Sequence, residues 1–206
     1  MIEITEKEIN NYVKYLIFIQ AKLDKFFDLQ KPFIFCKNGC SLCCHKQQFP
    51  YSQIEIAYLS AGVMDLSKEK QQIIEKNIQE LINQRENFKG KRFFYDCPFL
   101  INDSCSVYNN RGLVCRAFGL MTKSEDGSIG VPFCSFKNLN YSNVINLRTK
   151  KVSERKYKKL NTSLTPNMYN VSYKFLSDDE FGKAFGFSFG ERKPMVEWLI
   201  DINKKV

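Results

Sequence analysis

Near the start of the chain, apolar residues recur at spacings of three and four. Ile9, Tyr12, Val13, Leu16, Ile19, Leu23, Phe26 and Phe27 form one stripe between Ile4 and Leu29. This pattern predicts a long amphipathic helix packed on a core, and Lys31-Pro32 ends it, because the residue before proline is pushed out of the helical region. Ser52-Gln53-Ile54-Glu55 is a capping box, opening a short helix with Ile54, Ala57, Tyr58 and Ala61 on one face and Gly62 as its stop. A start at Asp65 or Ser67 opens a longer helix to about Phe88, with Ile74, Ile78, Leu81, Ile82 and Phe88 inward. Between Ala117 and Phe133, Asp126-Gly127 separates two short apolar runs and predicts a hairpin. Past Asn138 the pattern turns polar, then recovers. Ser177-Asp178-Asp179-Glu180 is a second capping box, and Pro194 starts a last helix with Met195, Trp198, Leu199 and Ile202 on one face. No internal repeat is visible. The expected fold is mainly α, with helices around an irregular cysteine-rich centre and a small β-hairpin. It is expected as a single domain over 1–206, with a core at 36–134, an N-terminal helix in 1–30 and a C-terminal extension at 138–206.

Length and composition sharpen this picture. A chain of 206 residues suits one core rather than two ordinary domains. An apolar fraction of 44%, with 18 Phe and 10 Tyr, excludes a disordered chain. The start M-I-E-I-T-E-K-E is acidic where a secretory leader is basic, and the apolar run Tyr15 to Ile19 is too short for a membrane span. A cytoplasmic protein with no membrane partner is therefore expected. Thiols stay reduced in that compartment, so eight cysteines argue for metal or redox chemistry rather than a disulfide framework.

Those cysteines fall in two blocks. The first is C-K-N-G-C-S-L-C-C, with Cys36, Cys40, Cys43 and Cys44; the second holds Cys97, Cys105, Cys115 and Cys134. Thiolates are soft donors used in sets of four for tetrahedral zinc or for iron-sulfur clusters. The spacing C-x3-C-x2-C-C lacks the two knuckles of a zinc ribbon. Gly39 allows a close backbone approach, and Cys97-Pro98 repeats the Cys-Pro step of ferredoxin cluster loops. Side chains on adjacent residues tend to diverge, so Cys44 is expected either to serve a second centre or to pack. His45, the only histidine, either completes a zinc set of three thiolates and one imidazole or is a loop residue beside the site. With one histidine, hydrolase constellations lose most of their support. Because four ligands are normally wanted and the first loop directs at most three well, the two blocks are expected to converge.

The second block reads C-P-F-L-I-N-D-S-C-S-V-Y-N-N-R-G-L-V-C-R-A-F from Cys97 to Phe118. With the C-x3-C-x2-C-C loop, its C-P-F-L box, C-x-[IV]-Y step and R-x-x-x-C-R segment, the chain resembles the YkgJ-like cysteine-cluster family, CxxCxxCC, across roughly residues 36 to 134. The resemblance implies chelation of a zinc ion or an iron-sulfur cluster by Cys36, Cys40, Cys43, Cys44, Cys97, Cys105 and Cys115, with Cys134 the last member. This chain has Gly112 and Gly119 where the family usually has proline, which leaves the ligands untouched and predicts a less rigid entry at Arg111-Gly112. Arg111 and Arg116 are placed to offset thiolate charge and donate to sulfur, or are surface arginines.

The same signature occurs in flagellin lysine N-methylases, which are longer enzymes; no recognisable S-adenosylmethionine site accompanies it here. Cys36, Cys40 and Cys43 also reproduce the radical S-adenosylmethionine spacing, but Leu42 stands where an aromatic usually precedes the third cysteine, and the pattern is not a strand-helix barrel. Three function classes remain: a metal-binding protein whose protein partner is unidentified, a cluster-dependent protein-lysine methyl or redox transferase, and a metal-stabilised nucleic-acid module. The net charge of +9 alone does not favour the last, because metal-bound thiolates would cancel part of it. The run Arg148, Lys150, Lys151, Arg155, Lys156, Lys158 and Lys159, with Glu154 as its one acid, reads first as a solvated face.

Overall fold

The structure is a computed structural model and describes residues 4–37 and 39–204. The first three residues of the acidic start, Asn38 of the first cysteine loop and the last two residues lie outside it. Helix α1 spans Glu6–Leu29, opened by Thr5, whose side chain accepts from the Glu8 N–H while the Glu8 carboxylate accepts from the Thr5 N–H. Its inward face is Tyr12, Tyr15, Leu16, Ile19 and Leu23, so Tyr15 rather than Val13 completes the stripe. The helix stops at Gln30, and Lys31–Phe33 continue as a 3-10 turn.

Strand β1 (Pro50–Ser52) leads into α2 (Gln53–Met64), and the Ser52–Glu55 box is present. Gly62 does not end this helix. It lies inside it, where a Cβ would meet the Asn110 side chain 2.3 Å away, so the glycine serves that close approach. Nor is one face buried: Ile54, Ile56 and Leu59 are all enclosed while Ala61 is exposed. Helix α3 runs Lys68–Asn87 from a Ser67 cap, with Ile74, Leu81 and Ile82 buried. Next come β2 (Leu100–Ile101), β3 (Ser104–Cys105), α4 (Leu113–Ala117), β4 (Thr122–Lys123), β5 (Ile129–Gly130), β6 (Ile145–Asn146), β7 (Lys151–Val152) and α5 (Glu154–Tyr157). The chain finishes with α6 (Tyr173–Leu176), α7 (Asp179–Phe185), β8 (Arg192–Pro194) and α8 (Met195–Asn203). The cap of α7 is Asp178, which accepts from the Glu180 N–H, whereas the Ser177 hydroxyl donates to the Tyr173 carbonyl. No described helix is long and apolar enough to cross a membrane.

The expected hairpin is β4–β5, with Gly127 at φ 79° in its turn. Two further hairpins carry weaker signals. In β2–β3 the turn places Asn102 and Asp103 at φ 50° and 56°, and β6–β7 has Lys150 at φ 55°. The fourth pairing is long-range: β1 runs antiparallel to β8, with Tyr51 opposite Lys193.

Three apolar clusters support these elements. The face of α1 packs with Ile54, Leu113, Ala117, Leu176, Phe187 and Phe189. A second cluster joins Phe49, Tyr51, Ile56, Ile74, Leu81 and Tyr95 to Met195, Trp198 and Leu199 of α8. Side chains of this kind contribute about 1.5–3 kcal/mol each on full burial. Trp198 is completely buried and its indole N–H donates to the Tyr51 carbonyl at 3.0 Å, so α8 locks the strand that follows the first cysteine loop. The third cluster is Phe33, Met121, Tyr141, Val144 and Ile145, with Tyr157 and Leu160 packed on it. The basic stretch is therefore ordered, and all seven of its cations are exposed.

Candidate metal centre

The first cysteine loop is shaped by its backbone. Gly39 takes φ 83°, Cys40 N–H donates to Lys37, and a 3-10 turn at Leu42–Cys44 closes with Cys44 N–H donating to Ser41 at 2.7 Å. Just beyond it the chain zips onto the second block. Gln47 and Tyr95 exchange two backbone hydrogen bonds of 3.1 Å, Cys97 N–H donates to the Cys44 carbonyl at 2.8 Å, and Lys46 N–H donates to Asp96. Cys105 stands opposite Leu100 in β2–β3, and Cys115 lies on α4. Cys134 is buried in the 3-10 segment Phe133–Lys137.

These connections draw both blocks around one cavity of about 950 Å³. Cys36, Cys40, Cys43, Cys44, Cys97, Cys105 and Cys115 line it, whereas Cys134 does not. Cys43 and Cys44 do not diverge as expected: the 3-10 turn folds their sulfurs to 3.8 Å of each other. That is about the edge of a tetrahedron with metal–sulfur bonds of ~2.3 Å. Among the described residues no three Cys, His, Asp or Glu side chains stand gathered as one preformed ion site. The donor chemistry thus fits a thiophilic metal, and one ligand edge has the right length.

Charge at the thiols follows their surroundings. The Cys44 S–H donating to Cys43 lowers the Cys43 thiol to about 7, helped by the nearby Arg111 charge, and raises its own. Burial pushes Cys115 up to about 12 and raises Cys97 and Cys105. Without a cation these inner thiols are neutral; a metal ion would reverse that preference.

His45 is not in the lining. Its Nδ1 lies 3.6 Å from Asp96 and its Nε2 3.4 Å from Asp103 and 3.2 Å from Ser41 Oγ, so the ring braces the outside of the loop. Arg111 lines the cavity with its guanidinium 3.7 Å from the centre of the Tyr108 ring. Arg116 donates to Gln20 Oε1 and to the carbonyls of Arg111 and Asn109, which fastens α4 to α1 rather than supporting sulfur.

Two residues that the sequence did not mark as part of the site hold this arrangement. Glu55 is fully buried. One carboxylate oxygen accepts from the Leu113 N–H at 2.8 Å; the other accepts from the Ser52 N–H and hydroxyl and from the Tyr173 hydroxyl at 2.7 Å. It therefore caps α2 and also opens α4, the helix of Cys115. The entry at Gly112 is not loose, because its N–H donates to the Tyr51 hydroxyl, and a Cβ there would lie 2.8 Å from that ring. A proline would lack the N–H and collide. Asn140, also fully buried, donates from its side-chain amide to Cys36 Sγ at 3.1 Å. Only the capping-box spacing pointed to Glu55; nothing in the sequence pattern pointed to Asn140.

Residues 35–135 match the model of the CxxCxxCC family, whose description is "putative zinc- or iron-chelating domain". This segment is a CxxCxxCC domain. No curated protein and no solved structure matched the chain. The CxxCxxCC match begins and ends within one residue of the outermost cysteines, Cys36 and Cys134. It therefore contains every thiol, while β8 and α8, which frame the domain, lie beyond it.

Proposed function

We propose that the CxxCxxCC domain holds a thiolate-bound metal, a zinc ion or an iron-sulfur cluster, used structurally or for electron transfer. In this reading residues 1–206 act as one unit in which 36–134 carry the site. Cys43 and Cys44 are the leading donors, Cys97, Cys105 and Cys115 face them, and Cys36 and Cys40 stand at the outer side. Cys134 supports the loop from behind. The observation that carries the reading is the 3.8 Å edge between Cys43 and Cys44 on a cavity lined by five further thiols. That edge favours a mononuclear tetrahedral ion, since such a pair can bind one metal with little rearrangement.

The cavity volume favours a second reading. At about 950 Å³ it exceeds what a bare ion needs and falls within the range of small-ligand sites, as a cluster-dependent methyl or redox transferase requires. Anaerobic purification, followed by metal analysis and an absorption spectrum, separates the zinc form from the cluster form. A colourless protein with stoichiometric zinc supports the first reading and rejects the second; broad visible absorption that bleaches on reduction, with iron and sulfide, fits both, and the second then requires methyl or electron transfer to a protein-lysine substrate by the cluster-loaded chain. A protein with neither metal after reconstitution would reject both.

The basic segment is expected to be dispensable for this binding. None of its residues lines the cavity, and its seven cations are solvent-exposed. Replacing Arg148, Lys150, Lys151, Arg155, Lys158 and Lys159 by glutamine should leave bound metal per chain unchanged. A large loss would place the segment in the site.

A further inference from the structure

We infer that Asn140 is a positioning residue for the metal centre, its side-chain amide donating to the Cys36 sulfur and holding that thiolate for ligation. The inference rests on the thiol-ligand reading and goes beyond it, because Asn140 lies outside the segment 35–135 that carries the family match. The amide orientation is fixed by chemistry. Its Oδ1 accepts from the Phe35 N–H at 2.8 Å, a bond that an amide nitrogen could not accept. Nδ2 is thereby turned toward two acceptors, the Gly119 carbonyl at 3.0 Å and Cys36 Sγ at 3.1 Å. The other contact between the two side chains, in which the Cys36 S–H donates to Oδ1, is longer at 3.5 Å.

The amide is anchored independently of the sulfur. The Asn140 carbonyl accepts from the buried Ser135 hydroxyl, and the next N–H, from Tyr141, donates to Phe33 at 2.6 Å. Gly119 leaves the room this needs: it takes φ 107°, and a Cβ there would lie 2.8 Å from Nδ2 and 3.5 Å from Cys36 Sγ. At this φ neither proline nor an ordinary side chain is at ease, and the space left by glycine admits a donor to a thiol of the first loop. An N–H···S bond favours the thiolate over the thiol and aims its remaining lone pairs, which is the work of outer-shell donors at metal sites.

The decisive measurement uses the native chain loaded with cadmium-113. A hydrogen bond to a ligating sulfur should give a scalar coupling between an Asn140 side-chain proton and the metal; loaded protein with no such coupling overturns the inference. Asn140→Asp keeps the acceptor for Phe35 and removes both donors. With cobalt as the probe it should bind about 10–100-fold more weakly and shift the thiolate-to-cobalt absorption. Combined with Cys36→Ser it should lose nothing further. Unchanged affinity and band position in Asn140→Asp would also overturn the proposal. Should that variant fail to fold, the cadmium coupling in the native chain decides alone. Native protein that takes up neither ion rejects the metal reading and this inference together. If the native chain binds cobalt and Cys36→Ser binds it equally well, only the inference falls.

Discussion

Replacing Cys43 and Cys44 together by serine should abolish metal binding and leave residues 36–46 open to protease, while most of the helical circular dichroism persists. The loop has little else to hold it. Among its described residues none of the four cysteines is buried, and its regular structure is one 3-10 turn and a few backbone bonds to the second block. Binding of thiolates to zinc in finger peptides is worth about 10–16 kcal/mol, comparable to the whole margin of about 5–15 kcal/mol by which a domain is stable. Helices α1, α3 and α8 have their own apolar contacts and should survive its loss. Limited proteolysis with mass mapping, beside metal analysis and circular dichroism, reads all three effects. A double variant that kept its metal and its resistance would show that the loop is packing, and the assignment built on it would fail. Chelation of the native protein should give the same cleavage pattern.

Glu55→Ala is the second large effect expected, and it acts on stability. The substitution strands the Leu113 N–H, the Ser52 N–H and the Tyr173 hydroxyl in a fully buried site. Orphaned buried donors cost about 1–3 kcal/mol each and do not add fully, so the loss should be about 3–5 kcal/mol. Glu55→Gln keeps one acceptor oxygen and should lose about half as much, which urea unfolding at constant m-value can resolve. Burial raises the Glu55 carboxyl above its ordinary 4.5, with its hydrogen bonds countering part of the rise. The native state therefore holds that proton more tightly than the unfolded chain. Stability from this group is complete below about 4.5 and declines as pH rises through the raised native value, so the native protein should lose ground to Glu55→Gln over that window. An alanine variant as stable as the native protein would remove Glu55 from its place at the join of α2 and α4.

Much of this scaffold was legible because local chemistry and tertiary structure agree. The α1 stripe, the Ser67 start of α3, the Asp126-Gly127 turn and the Pro194 start of α8 are each decided within a few residues. Where a distant contact decided the matter, local reading failed. Gly62 looks like a helix stop until Asn110 is seen against it, and Gly112 looks loose until Tyr51 and Glu55 are. The order of cysteine motifs carried the family. The S···S approach of Cys43 and Cys44 was missed because the rule that adjacent side chains diverge assumes extended backbone, and the chain there is a 3-10 turn. Asn140 could not be read at all, since its partners lie at Phe35, Cys36 and Gly119, in other segments of the chain.

The pairing of β1 with β8 also sets a schedule. Tyr51, whose hydroxyl lies 3.7 Å from Cys115 Sγ, is clamped at its carbonyl by Trp198, 147 residues later. On the ribosome both cysteine blocks emerge well before that clamp, so the frame around the cavity closes only once β8 and α8 have been made. A chain stalled before Trp198 would carry all eight cysteines without the bond that fixes Tyr51 beside Cys115.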